Sequence, residues 1–188
     1  MTPILLAAAR HSAPLTHLGP RLVLTLALLA FLGLCYWGMW RGWKGRQRRQ
    51  ADLLPPPAVP DPPELGALRA EAEGTYVVTT TAGDWLDRIA VHRLGERSLA
   101  TLAVHDAGVL VRRVGAPDLF VPAANLRGAR LERGMAGKFV EEGGLVVMTW
   151  RHGEGQRQRE LDTGFRPRAA ADRDVLVEAL GALAGAAR

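Results

Sequence analysis

Ser98-Leu99-Ala100-Thr101-Leu102-Ala103-Val104-His105 runs into Asp106-Ala107-Gly108 and then into Val109-Leu110-Val111-Arg112-Arg113-Val114. Alternation over the first run places Ala100, Leu102 and Val104 on one face, the period of a half-buried strand. Asp is expected in the connection for its local hydrogen bonds, and the second run is rich in β-branched residues. The whole therefore reads as an antiparallel hairpin, and it sets the class of this region as mainly β.

The signals on either side repeat that pattern. Upstream, Thr75 to Thr81 is a β-branched and aromatic run ended by Ala82-Gly83-Asp84. Downstream, Leu119 to Val121 follows the turn signal Gly115-Ala116-Pro117-Asp118 and is closed by Pro122. Ala129 to Arg133 alternates weakly, and Leu145 to Trp150 follows Glu142-Gly143-Gly144 as a strong strand signal. Arg157 to Asp162 reads as a polar edge strand, whereas Trp85 to Leu94 suits either a strand or a short helix. After Pro167 the period changes: Asp172 and Asp174 occupy a first helical turn, and Leu176, Ala179, Leu180 and Leu183 form an apolar stripe. Residues 67–188 are thus expected to fold as about six or seven antiparallel strands in a bent sheet or partly open barrel, its open end covered by a C-terminal amphipathic helix.

Residues 22–40, Leu22 to Trp40, form an uncharged stretch between Arg21 and Arg41. As a helix it would be roughly 28 Å long, close to the hydrocarbon thickness of a bilayer. Tyr36, Trp37, Trp40 and Trp43 gather at its C-terminal end, as interfacial aromatics do. Arg41, Lys44, Arg46, Arg48 and Arg49 follow without an acid among them, whereas only Arg10 and Arg21 precede the stretch. The reading is one membrane span, with residues 1–21 extracytoplasmic and the rest of the chain on the cytoplasmic side of the plasma membrane. A cleaved signal peptide is the competing reading; the long core and the exit Gly38-Met39-Trp40-Arg41, with no small-x-small site, speak against it. Cys35, the only cysteine, lies inside the span, so no disulfide or zinc-finger spacing can be built.

The charge is unevenly distributed. Residues 1–50 carry seven Lys or Arg and no acid; residues 51–66 carry three acids and no base; the remainder carries seventeen bases against sixteen acids. The basic stretch 41–50 therefore reads as orientation and attraction to anionic headgroups. It is not a nucleic-acid face, which would need the bases on the folded domain. Arginine outnumbers lysine twenty-two to two, a bias that lowers the weight of any single arginine. The segment 51–66 holds six prolines (Pro55, Pro56, Pro57, Pro60, Pro62 and Pro63), and its expected geometry is an extended, semi-rigid spacer. Pro57 to Pro60 matches P-x-x-P only as any proline-rich linker does.

The order of elements, with the phrases Thr79-Thr80-Thr81-Ala82-Gly83-Asp84-Trp85-Leu86-Asp87-Arg88 and Glu160-Leu161-Asp162-Thr163-Gly164-Phe165-Arg166-Pro167, resembles a known family. The chain is similar to small actinobacterial single-pass membrane proteins that carry a bacterial pleckstrin-homology-like (PH-like) domain. They are often encoded among pyrimidine-biosynthesis genes and loosely labelled transporter or export proteins. The resemblance implies the fold and the architecture and brings no activity with it. One helix alone forms no translocation path.

The richest polar cluster is Asp84, Trp85, Asp87, Arg88, His92 and Arg93, which could be read as an acid–base site around Asp84, Asp87 and His92. The plainer reading makes Asp84 a turn cap, Trp85 a core anchor, and Asp87 with Arg88 an exposed ion pair. Pleckstrin-homology domains bind phosphoinositides through bases near the first strand–strand loop; here Asp84 and Asp87 face Arg88 alone, so such binding is not expected. The loop Gly134-Met135-Ala136-Gly137-Lys138 lacks the rest of a phosphate-cradling motif. It is read as a strand connection or as a contact surface with Met135, Lys138 and Phe139 exposed, alongside Asp84 and Trp85. Ser12 and Ser98, the only serines, lie outside any nucleophile motif, and the five histidines are scattered. No cofactor or metal is expected. The expected function is a non-enzymatic, membrane-anchored interaction or assembly module, binding a protein partner or itself; the alternative is a lipid- or small-ligand-binding module.

Overall fold

The computed structural model describes residues 18–135, 138–139 and 144–187. The chain divides into two compact units, Met1–Lys44 and Gly45–Arg188. The first is the apolar part of helix α1, Leu18–Arg49. Its stretch Gly19–Gly45 has a mean hydropathy of 2.1 and no buried residue. That makes it one helix long and apolar enough to cross a membrane. Near its end the Lys44 ammonium lies 4.1 Å from the Trp40 ring centroid, and the Arg41 guanidinium 5.7 Å from that of Trp37.

The second unit is built on an antiparallel sheet. Its strands are β1 (Leu68–Thr81), β2 (Asp84–Arg88), β3 (Ser98–His105), β4 (Gly108–Arg113), β5 (Leu119–Pro122), β6 (Leu126–Glu132), β9 (Leu145–His152) and β10 (Arg159–Pro167). They hydrogen-bond in the order β5-β4-β3-β1-β10-β9-β6, with β2 added to β1. A separate small ribbon pairs β7 (Gly134–Met135) with β8 (Lys138–Phe139). Helix α2, Asp172–Ala186, packs over β6, β1 and β9.

The bend comes from β1. Its first half pairs with β3, from Leu68 opposite His105 to Tyr76 opposite Ser98, and its second half with β10, from Gly74 to Thr81. The register with β10 shifts between Tyr76 and Val78, so the inward face of the strand changes there. Ala70, Ala72 and Tyr76 face the main core with Leu102, Val111, Trp150, Phe165, Leu176 and Leu180. Val77 and Val78 instead join Met135, Leu145 and Val147 in a second cluster. The main core holds a closed polar chain: the Tyr76 hydroxyl donates to the Leu94 carbonyl at 2.6 Å and meets Thr79 Oγ1 at 2.7 Å. Thr79 meets Thr163 at 2.7 Å, and Trp150 Nε1 donates to Thr163 at 2.9 Å. Each hydroxyl and ring N–H of this network is therefore paired, as a core of this depth favours.

Two expectations are corrected, and one segment left open is resolved. Arg157 to Asp162 is no edge strand: β10 runs on to Pro167 between β1 and β9 at the sheet centre. Trp85 to Leu94 is a strand only as far as Arg88, then a turn in which His92 and Arg93 have φ of 53° and 57°. Segment 51–66 is no free-standing spacer. Leu53 is buried in the main core, and Leu65 packs on Leu110 and Phe120 on the opposite face of the sheet. The backbone carbonyls of Leu53 and Leu54 accept hydrogen bonds from His92 and His152, both at 2.7 Å. Asp52 adds an ion pair to Arg159 at 2.7 Å. A prolyl segment donates few amides of its own, so carbonyl acceptors are what it can offer to fixed side-chain donors.

Candidate functional site

A concavity of about 710 Å³ opens where β1 leaves β3 for β10. Register places Arg166 and Leu99 on either side of Thr75, and Thr101 between Glu73 and Arg112. Neighbours directly opposite across antiparallel strands project to the same face, so these two rows form one surface on the side away from α2. Six arginines line the groove (Arg97, Arg112, Arg113, Arg166, Arg168 and Arg173) against two acids, Glu73 and Asp118. Residues from 67 onward carry seventeen bases and sixteen acids, so this is a segregation of charge and not a reflection of composition.

The arginines are not equivalent. Arg113 belongs to the frame: its guanidinium lies 4.0 Å over the Tyr76 ring and donates to the Arg93 and Glu96 carbonyls at 2.9 and 2.8 Å. Burial pulls its pKa below the ordinary arginine value, but an arginine stays charged. Arg112 is tied to Glu71, and Arg168 sits 3.9 Å from Glu73 in an exposed pair. Such exposed pairs are weak and exchangeable. Arg97 is exposed at the rim. Between the cations, Leu99 and Val114 are 67% and 70% exposed. The groove can therefore offer separated cationic forks and bare aliphatic surface together.

A second groove, about 460 Å³, lies on β6, β9 and β10 and is lined by Trp85, Arg130, Met135 and Asp162 among others. Here the buried Asp162 carboxylate accepts from Arg130 at 2.8 and 3.4 Å and from the Thr149 hydroxyl at 2.6 Å. That contact, more than any other, raises the Arg130 pKa. The carboxylate is saturated by its neighbours, which suits it to structure rather than to proton transfer.

Of the residues singled out from sequence, Trp85 and Met135 line this second groove, whereas Asp84, Asp87 and His92 line neither groove. Asp84 Oδ1 accepts the Leu86 and Asp87 amides at 3.0 and 3.2 Å, and Asp87 accepts from the Thr81 hydroxyl at 2.7 Å. His92 is engaged by the Leu53 carbonyl. The acid–base reading of these three is thereby left without a shared pocket, and Asp87 bonds Thr81 rather than pairing with Arg88. Trp85 is no core anchor: it is 45% exposed at the hairpin tip beside exposed Leu86. Met135, expected on the surface, is 3% exposed and packs against Gly164, where a Cβ would come within 2.8 Å of its sulfur. The side chains of Lys138, Phe139, Arg46 and Arg49 and all of Ala136 and Gly137 lie outside the described residues. Among the described residues no group of three His, Cys, Asp or Glu is placed to hold a metal ion.

The family description "Bacterial PH domain-like" matches residues 53–181, more than two thirds of the chain. The chain belongs to that family. The match begins at Leu53, so it takes in the proline segment that the structure shows lying on the sheet. No curated protein matches the sequence. Among solved structures, the C-terminal phosphotyrosine interaction domain of mouse APBB2 is similar over 69% of this chain and 93% of that one, with 11% identity and a TM-score of 0.40. In this PH-like domain Asp84 and Asp87 lie on β2, just after the turn from β1, and the basic groove lies elsewhere, across β1, β3, β4 and β10. Sequence reading missed the groove because its arginines are scattered between positions 97 and 173 and meet only through the sheet register. Alternation in Ser98 to His105, with Ala100, Leu102 and Val104 on one face, leaves Leu99 on the other; the rest of the groove had no such signal.

Proposed function

We propose that this PH-like protein is a non-enzymatic, membrane-anchored interaction module whose contact surface is the arginine groove. The observation that carries the reading is the gathering of six arginines and two exposed aliphatics around one groove of a domain whose charges otherwise balance. Helix α1 supplies the anchor. The cations Arg41, Lys44, Arg46, Arg48 and Arg49 favour a domain on the cytoplasmic side of the plasma membrane. Trp37, Trp40 and Trp43 would sit at the headgroup layer, with Lys44 and Arg41 stacked on their rings. The second reading, a lipid- or small-ligand-binding module, draws on the same cations.

Cross-linking in membranes of cells expressing the full chain tests the proposal. A reproducible partner, or self-association, should be captured by the unaltered protein and lost in the doubly reversed Arg97→Glu, Arg168→Glu protein. Capture that is indifferent to the reversals, or no reproducible capture, contradicts it.

A further inference from the structure

The groove narrows its own occupant, on the reading that the domain is an interaction module. Arg166, Thr75 and Leu99 stand side by side on β10, β1 and β3, and the Val114 amide donates to the Leu99 carbonyl at 2.9 Å, adding a fourth strand. At strand spacing this row is roughly 14 Å long, the reach of about four extended residues. A phosphate group would call for several donors converging on one point. Here the cations are spread along the row instead, two aliphatic side chains stand bare between them, and Glu73 and Asp118 lie among the lining residues. Those two carboxylates repel a dianion more strongly than a single carboxylate. A single-stranded nucleic acid would need aromatic stacking platforms, and no aromatic side chain is among the described residues lining the groove.

We infer that the groove binds an extended acidic peptide segment in which carboxylates alternate with aliphatic side chains. Lying across the strands, between the row of Thr75, Leu99 and Val114 and the row of Glu73, Thr101 and Arg112, such a segment sends successive side chains to opposite rows. One set of carboxylates takes the guanidinium forks of Arg97, Arg112 and Arg168, for which planar carboxylates are the matching shape. Arg112 and Arg168 exchange their exposed partners Glu71 and Glu73 for the ligand, at small cost because those pairs are solvated. Aliphatic side chains cover Leu99 and Val114, which removes apolar surface from water.

The test uses the full chain in phosphatidylcholine nanodiscs and a fluorescent peptide of alternating Glu and Leu, about eight residues long so that it exceeds the row. Binding should weaken steeply with salt and fall about tenfold or more when Gln replaces Glu in the peptide. Arg97→Glu with Arg168→Glu should weaken it by about tenfold, and Leu99→Gln should weaken it at constant salt dependence. Thermal melts confirm that these exposed substitutions leave the fold intact. Equal binding of the Gln peptide, or indifference to the reversals, overturns the inference. Displacement of the peptide by equimolar inorganic phosphate, or preferential recruitment of phosphatidylglycerol vesicles, also overturns it in favour of a phosphate-bearing ligand. If the peptide fails while the reversals still abolish cellular cross-links, the peptide class is wrong and the interaction reading stands. If the peptide binds while every cross-link survives the reversals, the inference holds and the interaction reading falls.

Discussion

The Gln50 carboxamide bonds the domain as a strand would: its Oε1 accepts the Ala90 amide at 2.6 Å and its Nε2 donates to the Arg88 carbonyl at 3.1 Å. Gln50 is itself buried, at the junction of α1 and the proline segment. Residues ahead of the first strand are thus part of the fold. Gln50→Ala leaves a buried amide and a carbonyl without partners, and a loss of about 1–3 kcal/mol is expected in denaturant unfolding of the micelle-held chain. An unfolding midpoint unchanged by the substitution would contradict the arrangement.

Tyr76 gives the core a pH signature. Burial pushes its pKa from 10.0 up to about 12, against a smaller lowering by its bond with Thr79. Between those values the unfolded tyrosine has lost its proton while the folded one keeps it. Stability therefore falls as pH rises from 10 toward 12. Tyr76→Phe should flatten that fall and, at neutral pH, cost about 1 kcal/mol by removing the hydroxyl's bonds to Thr79 Oγ1 and to the Leu94 carbonyl, which keeps the Thr79 amide as its other donor at 2.9 Å. Unfolding measured across that pH range reads both effects.

The Arg130–Asp162 pair makes an asymmetric prediction. Asp162 is 7% exposed at its side chain and Arg130 is 45% exposed. Arg130→Ala leaves a buried carboxylate with only the Thr149 hydroxyl and should cost about 3 kcal/mol. Asp162→Asn leaves an arginine that can turn to water, so a loss nearer 1 kcal/mol is expected. Equal losses in urea unfolding would show that the carboxylate is better solvated than the structure has it.

Gly74 sits where β1 is paired on both sides, opposite Ala100 and Pro167. A Cβ there would overlap the Arg166 carbonyl oxygen and approach Phe165 Cζ to 2.7 Å and Pro167 Cα to 2.9 Å. Backbone atoms cannot yield as a side-chain end can, so Gly74→Ala should cost several kcal/mol, on the scale of overpacked cores (~1–3 kcal/mol or more). Gly164→Ala meets the flexible Met135 sulfur instead and should cost less. Paired thermal melts of the two variants check the order.

Much of this fold was legible in short-range pattern. The hairpin of β3 and β4 and the stripe of Leu176, Leu180 and Leu183 stand where alternation and helical spacing put them. The first half of β1 was not legible, because Leu68-Arg-Ala-Glu-Ala-Glu-Gly alternates alanine with charge and has little β preference. The central place of β10 was hidden for a related reason: its polar residues Asp162 and Thr163 are satisfied by partners on other strands, and a single sequence does not display them. The proline segment misled in the same way, since its binding groups are backbone carbonyls. The candidate site was the least legible part, being made of residues that share a face only after four strands have paired.

Photocross-linking from position 99 tests the central claim most directly. A photoreactive residue in place of Leu99, in the full chain within its membrane, should give a discrete adduct that high salt suppresses. The same residue in place of Val175, also well exposed but on the outer side of α2, should give none. Adducts from Val175 and none from Leu99 would contradict the assignment of the interaction surface to the arginine groove.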